Sequence, residues 1–108
     1  MALTARRKER LDSLADEIGE TGGERPVVLS ADIAQPDQAR AVVLSAAAHL
    51  GRLDVLVNNA GILRMAPFLR MPTEEMKEIF ETNFWATVET LRAAVPVMEK
   101  QGGGHVVQ

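Results

Sequence analysis

The residues able to do chemistry here are amides, one carboxylate and a pair of guanidinium groups. Asn58 and Asn59 stand side by side, followed by the two smallest residues, Ala60 and Gly61. Each amide can both donate and accept hydrogen bonds, so the pair can hold backbone in a fixed shape. Ala60 and Gly61 present little side chain, which leaves room for a flat ring or a ribose against the main chain. The plainer alternative is a turn of the Asn-Gly kind. Asp32 follows an apolar run and can accept a hydrogen bond from an exocyclic amine; it can also serve the start of the next helix. Arg6 and Arg7 carry planar, permanent charges that suit a phosphate, or they are the solvated start of a helix. Clustered with Lys8 and Arg10, they oppose the dipole of a helix beginning there. Asn83 lies four residues after Ile79 and four before Thr87, so helical spacing turns it inward with them. A buried amide left unpaired costs about 1–3 kcal/mol, so Asn83 needs a partner.

These residues must be positioned by the elements between them. Residues 1–5 read as a short strand. Leu11, Leu14, Ala15 and Ile18 recur at i, i+3, i+4 and i+7, which predicts an amphipathic helix from Arg7 to Ile18, closed by Gly19, Gly22 and Gly23. Val27–Leu29 is a continuous apolar run after Pro26, suited to a strand buried on both faces. Pro36 opens a second helix, where a missing N–H costs little, and Gly51 stops it. Leu53–Val57 reads as the most buried strand. A loop covers about 62–71. Thr73 is expected to cap a long helix with Glu74 and Glu75 in its first turn. That helix runs to about Lys100, bent near its end by Pro96, with an inner face of Met76, Ile79, Phe80, Asn83, Phe84, Thr87, Leu91 and Met98. Three glycines at 102–104 break it, and His105 begins a last strand. The order is strand, helix, strand, helix, strand, helix, strand. Such alternation predicts an α/β fold over residues 1–108, a doubly wound parallel sheet with helices on both faces. In such sheets ligands bind beyond the carboxyl ends of the strands, which is where Arg6, Arg7, Asp32 and 58–61 fall.

Composition narrows the function classes. With 108 residues, 46% hydrophobic and 25% charged, the chain has the make-up of one folded domain. A net charge of −3 argues against nucleic acid or an anionic membrane as the main partner. No apolar run approaches the length of a membrane span. The absence of cysteine leaves no disulfide framework and no thiolate metal site, and a cytoplasmic setting is expected. His49 and His105 read as structural, and no metal site is expected. The glycines at 19, 22, 23 and 102–104 follow helices and precede strands, the wrong order for a phosphate loop. There is no tyrosine, so a phenol cannot act as general acid within these residues.

VLVNNAG at 55–61, with ADI at 31–33 and ETNFWATVETLRAAVPVMEKQGGGHVV at 81–107, resembles the classical short-chain dehydrogenase/reductase family. The resemblance runs from Ala2 to Gln108. It implies a Rossmann fold, which makes the sheet a partial Rossmann-like doubly wound one, and hydride transfer between a nicotinamide cofactor and a carbonyl or alcohol substrate. By that resemblance Asn58, Asn59, Ala60 and Gly61 line the adenosine half of the cofactor, Asp32 holds the adenine edge, and Ile33 lies against the ring. Asn83 is implied to hold a water in the proton path to a catalytic lysine, unless it bonds a local carbonyl and bends the helix. Ala5 stands where NAD-dependent folds carry an acid for the ribose 2′-OH, and Arg6 follows it. Arg6 and Arg7 therefore point to NADP, with NAD less favoured.

The family's first strand and Gly-rich turn would precede Met1, and its catalytic Ser, Tyr and Lys would follow Gln108. The strands at 1–5 and 53–57 are then expected either to pair directly or to leave unpaired edges. As an isolated piece the chain is expected to fold poorly or associate and to be inactive. The expectation is the central part of an NADP-dependent oxidoreductase acting on a small molecule, with Leu63, Met65 and Phe68 favouring an apolar one. The alternative is a noncatalytic nucleotide-binding or oligomerisation module acting through the 73–100 helix, which would make a homo-oligomer. A receiver-like or flavin-binding domain would need acidic residues or a phosphate loop at the first strand, and MALTAR supplies neither.

Overall fold

The apolar runs become short parallel strands and the periodic stretches become helices. In a computed structural model describing residues 1–108, the order is β1 (Ala2–Ala5), α1 (Lys8–Glu20), β2 (Val27–Ser30), α2 (Pro36–Leu50), β3 (Val55–Val57), α3 (Thr73–Phe80), α4 (Ala86–Lys100) and β4 (His105–Val107). A 3₁₀ turn spans Phe68–Arg70 and a π turn spans Glu81–Trp85. The predicted α/β architecture holds.

The strands form two parallel pairs, not one continuous sheet. β1 pairs with β2 in the register Ala2 to Val27 through Ala5 to Ser30. β3 pairs with β4 in the register Val55 to His105 through Val57 to Val107. No ladder joins β1 to β3. A slot of about 740 Å³ lies between them, lined by residues of β1, β3 and α2. Of the two arrangements expected, unpaired edges is the one observed.

The chain moves outward from β1 to β2, then back past β1 to β3. With right-handed crossovers, that reversal puts α1 and α2 on opposite faces. Burial agrees. Val42 and Val43 of α2 share one core with Ala31, Leu53, Ala93, Ala94 and Met98, whereas Leu11 and Ala15 of α1 are buried outside it. α2 packs along α4, whose Ala93 and Ala94 lie in that shared core. Arg40 of α2 and Arg92 of α4 both bond the buried carboxylate of Glu89.

Several local expectations are corrected. Leu53 is buried at 6% exposure, but Val55 and Val57 are 51% and 60% exposed, because β3 borders the open slot. Val27–Leu29 is half-buried for a related reason: β2 has a partner on one edge alone. Helix α1 begins at Lys8 and runs through Gly19 to Glu20, since that glycine adopts helical backbone and Arg25 packs beside it. Thr73 is the first helical residue, with Pro72 at the cap and no side-chain capping bond. The predicted 73–100 helix is divided by the π turn, while α4 continues through Pro96. The π turn changes the helical phase, so the predicted inner stripe fails over its first half. Phe80 and Phe84 are largely exposed, and the buried face of α4 is Ala86, Glu89, Thr90, Ala93, Ala94 and Met98.

Candidate functional site at the strand ends

Parallel strands end on a common side, so the chain brings the residues after β1, β2 and β3 to one edge of the molecule. The ends of β1 and β2 are tied together. Ala31 N–H donates to the Ala5 carbonyl at 3.1 Å, and the Ser30 hydroxyl donates to the Arg6 carbonyl at 3.2 Å. Arg6 lies in a bend and Arg7 in extended backbone before α1 starts. Both guanidinium groups are exposed, and neither makes an ion pair or hydrogen bond within the protein. Lys8, the next cation, is instead committed to Asp12 at 2.7 Å.

Asp32 is half-buried at the end of β2 and serves the approach to α2. Its Oδ1 accepts from Ala34 N–H at 3.2 Å, and its own N–H donates to the Gln38 side chain at 2.9 Å. The Oδ2 atom has no protein partner, so one carboxylate oxygen is left for another donor. Ile33 packs against the hydrophobic core and is only half-buried.

At the end of β3, Asn58 N–H donates to the Val107 carbonyl at 2.9 Å and completes the ladder. Its side-chain Oδ1 accepts from the Thr90 hydroxyl at 3.0 Å. Its Nδ2 is buried and has no partner. Buried polar atoms are almost always paired, so this donor is the strongest internal sign of an acceptor that belongs there. Asn59, Ala60 and Gly61 are exposed. Asn83 is exposed too, contrary to the inward position that helical spacing predicted, because it lies in the middle of the π turn. Its partner is Ile62. Asn83 Oδ1 accepts from Ile62 N–H and Nδ2 donates to the Ile62 carbonyl, both at 2.8 Å. A Cβ at Gly61 would stand 3.4 Å from Asn83 Oδ1, so the glycine leaves room for this clamp.

Gln101 was missed in the sequence. It does to Leu53 what Asn83 does to Ile62, accepting from its N–H at 3.0 Å and donating to its carbonyl at 2.6 Å. The segment through β3 is thus held at both ends by amides from the helical region. Neither of the two principal cavities is lined by Arg6, Arg7, Asp32 or residues 58–61. The groups share an edge outside both cavities.

A family model described as short chain dehydrogenase matches residues 1–108. The chain belongs to the short-chain dehydrogenase family. It is 42% identical over 108 residues to 11-beta-hydroxysteroid dehydrogenase 1A of Arabidopsis thaliana, covering 99% of this chain and 31% of that one. Among solved structures, a metagenomic short-chain oxidoreductase in complex with NADP superposes with a TM-score of 0.89 at 35% identity, covering 97% of this chain and 48% of that one. A 7 alpha-hydroxysteroid dehydrogenase complexed with NADH and 7-oxo glycochenodeoxycholic acid gives 0.90 at 30% identity, covering 97% and 40%. The chain spans about a third of the curated relative's length. Short-chain dehydrogenases bind NAD(P), and these two neighbours carry different forms of it. No helix of this short-chain dehydrogenase chain is long and apolar enough to cross a membrane.

Proposed function

We propose that these residues form the adenosine-binding part of an NADP-dependent oxidoreductase that acts on a carbonyl or alcohol of an apolar small molecule in the cytoplasm. One observation carries the reading: the ends of three parallel strands bear uncommitted polar groups. They are the Arg6 and Arg7 guanidinium groups, Asp32 Oδ2 and the buried Asn58 Nδ2. These groups fit the cofactor. Arg6 and Arg7 would hold a 2′-phosphate, Asp32 the adenine amine, and Asn58–Gly61 the ribose side. When bound, the nicotinamide supplies or accepts the hydride. Asn83, fixed on Ile62, would support the proton path.

The apolar substrate is favoured by Leu63, Met65 and Phe68, which are 83%, 90% and 79% exposed, and by the relatives named as steroid dehydrogenases. Turnover is not expected from these 108 residues, which hold no tyrosine. Calorimetric titration with 2′,5′-ADP and with 5′-AMP tests the cofactor reading. Tighter binding of 2′,5′-ADP is expected; equal affinity would remove the NADP assignment, and no binding of either would remove the site.

A second reading, association through the 73–100 region, is favoured by its exposed aromatics. Phe80, Phe84 and Trp85 are 63%, 52% and 48% exposed, and Phe84 and Trp85 stack edge to face at 5.0 Å. Exposed apolar patches of this kind mark contact surfaces. Sedimentation of the chain and of a Phe84→Lys variant tests it; a concentration-dependent mass that the substitution lowers is the expected result.

A further inference from the structure

We infer that Gln38 is a positioning residue for base recognition: it anchors Asp32 so that Oδ2 is held available to an exocyclic amine, and it thereby sets a preference for adenine over a purine bearing a carbonyl in that place. This role depends on the proposed function, in which Asp32 meets the adenine amine. The ties on Asp32 carry it. The ladder between β1 and β2 ends at Ala31, whose N–H donates to the Ala5 carbonyl at 3.1 Å. Asp32 is the first residue beyond it. Its N–H donates to Gln38 Oε1 at 2.9 Å, and its carbonyl accepts from Gln35 N–H at 3.0 Å. Its Oδ1 accepts from Ala34 N–H at 3.2 Å. Only Oδ2 is left uncommitted.

These ties differ in what they hold. The Oδ1 bond is an Asx turn and fixes the carboxylate only against its own backbone. The Gln35 bond is equally local. Gln38 alone ties that backbone to a packed helix. It is the third residue of α2, four before Val42, which belongs to the core, and next to the fully buried Ala39. A glutamine at this place that served the helix alone would return to the N–H of the capping residue. That residue is Gln35, and its N–H is already held by the Asp32 carbonyl. Gln38 reaches past it to Asp32. An ionised carboxylate oxygen can only accept. Adenine offers it an amine, and hypoxanthine offers a carbonyl that it repels. The more firmly Oδ2 is held, the larger that contrast.

Calorimetric titration of the chain with 5′-AMP and with 5′-IMP reads the preference, because the two share sugar and phosphate and differ only in the base. The unsubstituted chain is expected to prefer 5′-AMP by about tenfold. Gln38→Met keeps the shape but offers no acceptor, and it should lose most of that ratio. Gln38→Glu restores the acceptor and should restore the ratio; its added charge weakens both nucleotides alike and cancels. A purely structural role would lower stability or weaken both ligands without moving the ratio. Asp32→Asn separates the two claims, since it should abolish the preference. If it does while Gln38→Met keeps the ratio, or if Gln38→Glu fails to restore it, the role of Gln38 is overturned and the adenine reading of Asp32 stands. If Asp32→Asn keeps the preference, or the unsubstituted chain shows none, the adenine reading falls and Gln38 with it. Should Gln38→Met not fold, amide exchange in the unsubstituted chain decides. At equal occupancy 5′-AMP is expected to slow the Asp32 amide more than 5′-IMP does; equal slowing overturns the role of Gln38.

Discussion

The amide of Asn83 grips both backbone groups of Ile62, with N–H and carbonyl each met at 2.8 Å. A side chain from the helical region thus acts as one more rung beside the chain leaving β3. Replacing Asn83 with Ala removes both rungs. The exposed setting lets water meet the freed groups, so the expected loss is about 0.5–2 kcal/mol in urea unfolding. The exchange of the Ile62 amide should rise more than that of the neighbouring strand. An unchanged Ile62 rate in the variant would show that the clamp does not hold in solution.

Thr90 is the one partner of the Asn58 side chain. In Thr90→Val the shape is nearly kept and Oδ1 joins Nδ2 as an unpaired atom. The cost expected is about 1–3 kcal/mol, with Thr90→Ser restoring most of it. Equal stability of Val and Ser variants would mean that Oδ1 finds water instead.

Arg6 makes no contact that the fold relies on, so Arg6→Gln should change stability by no more than about 0.5 kcal/mol. Under the NADP reading it should nonetheless erase the preference for 2′,5′-ADP over 5′-AMP. A preference that survives in the variant would move the assignment to Arg7 or away from both.

Glu89 gives the pH dependence. The hydrogen bond from Arg40 holds its carboxyl below the ordinary glutamate range; burial works the other way, and the charges of Arg40 and Arg92 add to the lowering. A carboxyl lowered by folding contributes stability that is complete above its unfolded pKa and fades as pH falls through the folded one. Glu89→Gln should therefore be less stable near neutrality and lose less on acidification. Urea midpoints measured from neutral pH into the acid range check this. Parallel curves for the two proteins would contradict it.

Only 14 of 108 residues are buried, while Leu63, Leu69 and Phe80 stand mostly in solvent. So small a core predicts a broad, low-temperature transition in calorimetry and association at high concentration. A sharp transition from a strict monomer would oppose it.

The alternation of runs and periods made the α/β order readable from residue types, because each element's signal was local. Pro36 and Gly51 marked α2 well; Gly51 takes a φ of 75°, which ends the helix where the sequence suggested. Burial was less readable. An apolar run such as Leu53–Val57 says that a strand can be covered, and the cover depends on what lies beside it. Asp32 was placed correctly at a helix approach, and its free oxygen is visible only in the geometry. Gln101 carried no signal, since a glutamine beside glycines looks like surface. Asn83 was singled out for a reason that failed: it does not point inward, yet it has the partner an amide needs.

The π turn at Glu81–Trp85 has a consequence for the chain's tolerance of length changes. One additional residue per turn rotates everything upstream by roughly 100° about the axis relative to an unbroken helix. α3 and α4 are therefore wound in different angular frames, like two gears engaged one tooth apart. Deleting a single residue between 81 and 85 would let the turn close as ordinary α-helix with the α3 face unchanged, because the shorter path removes the same roughly 100° that the extra residue takes up; what would go is the local geometry that sets Asn83 against Ile62.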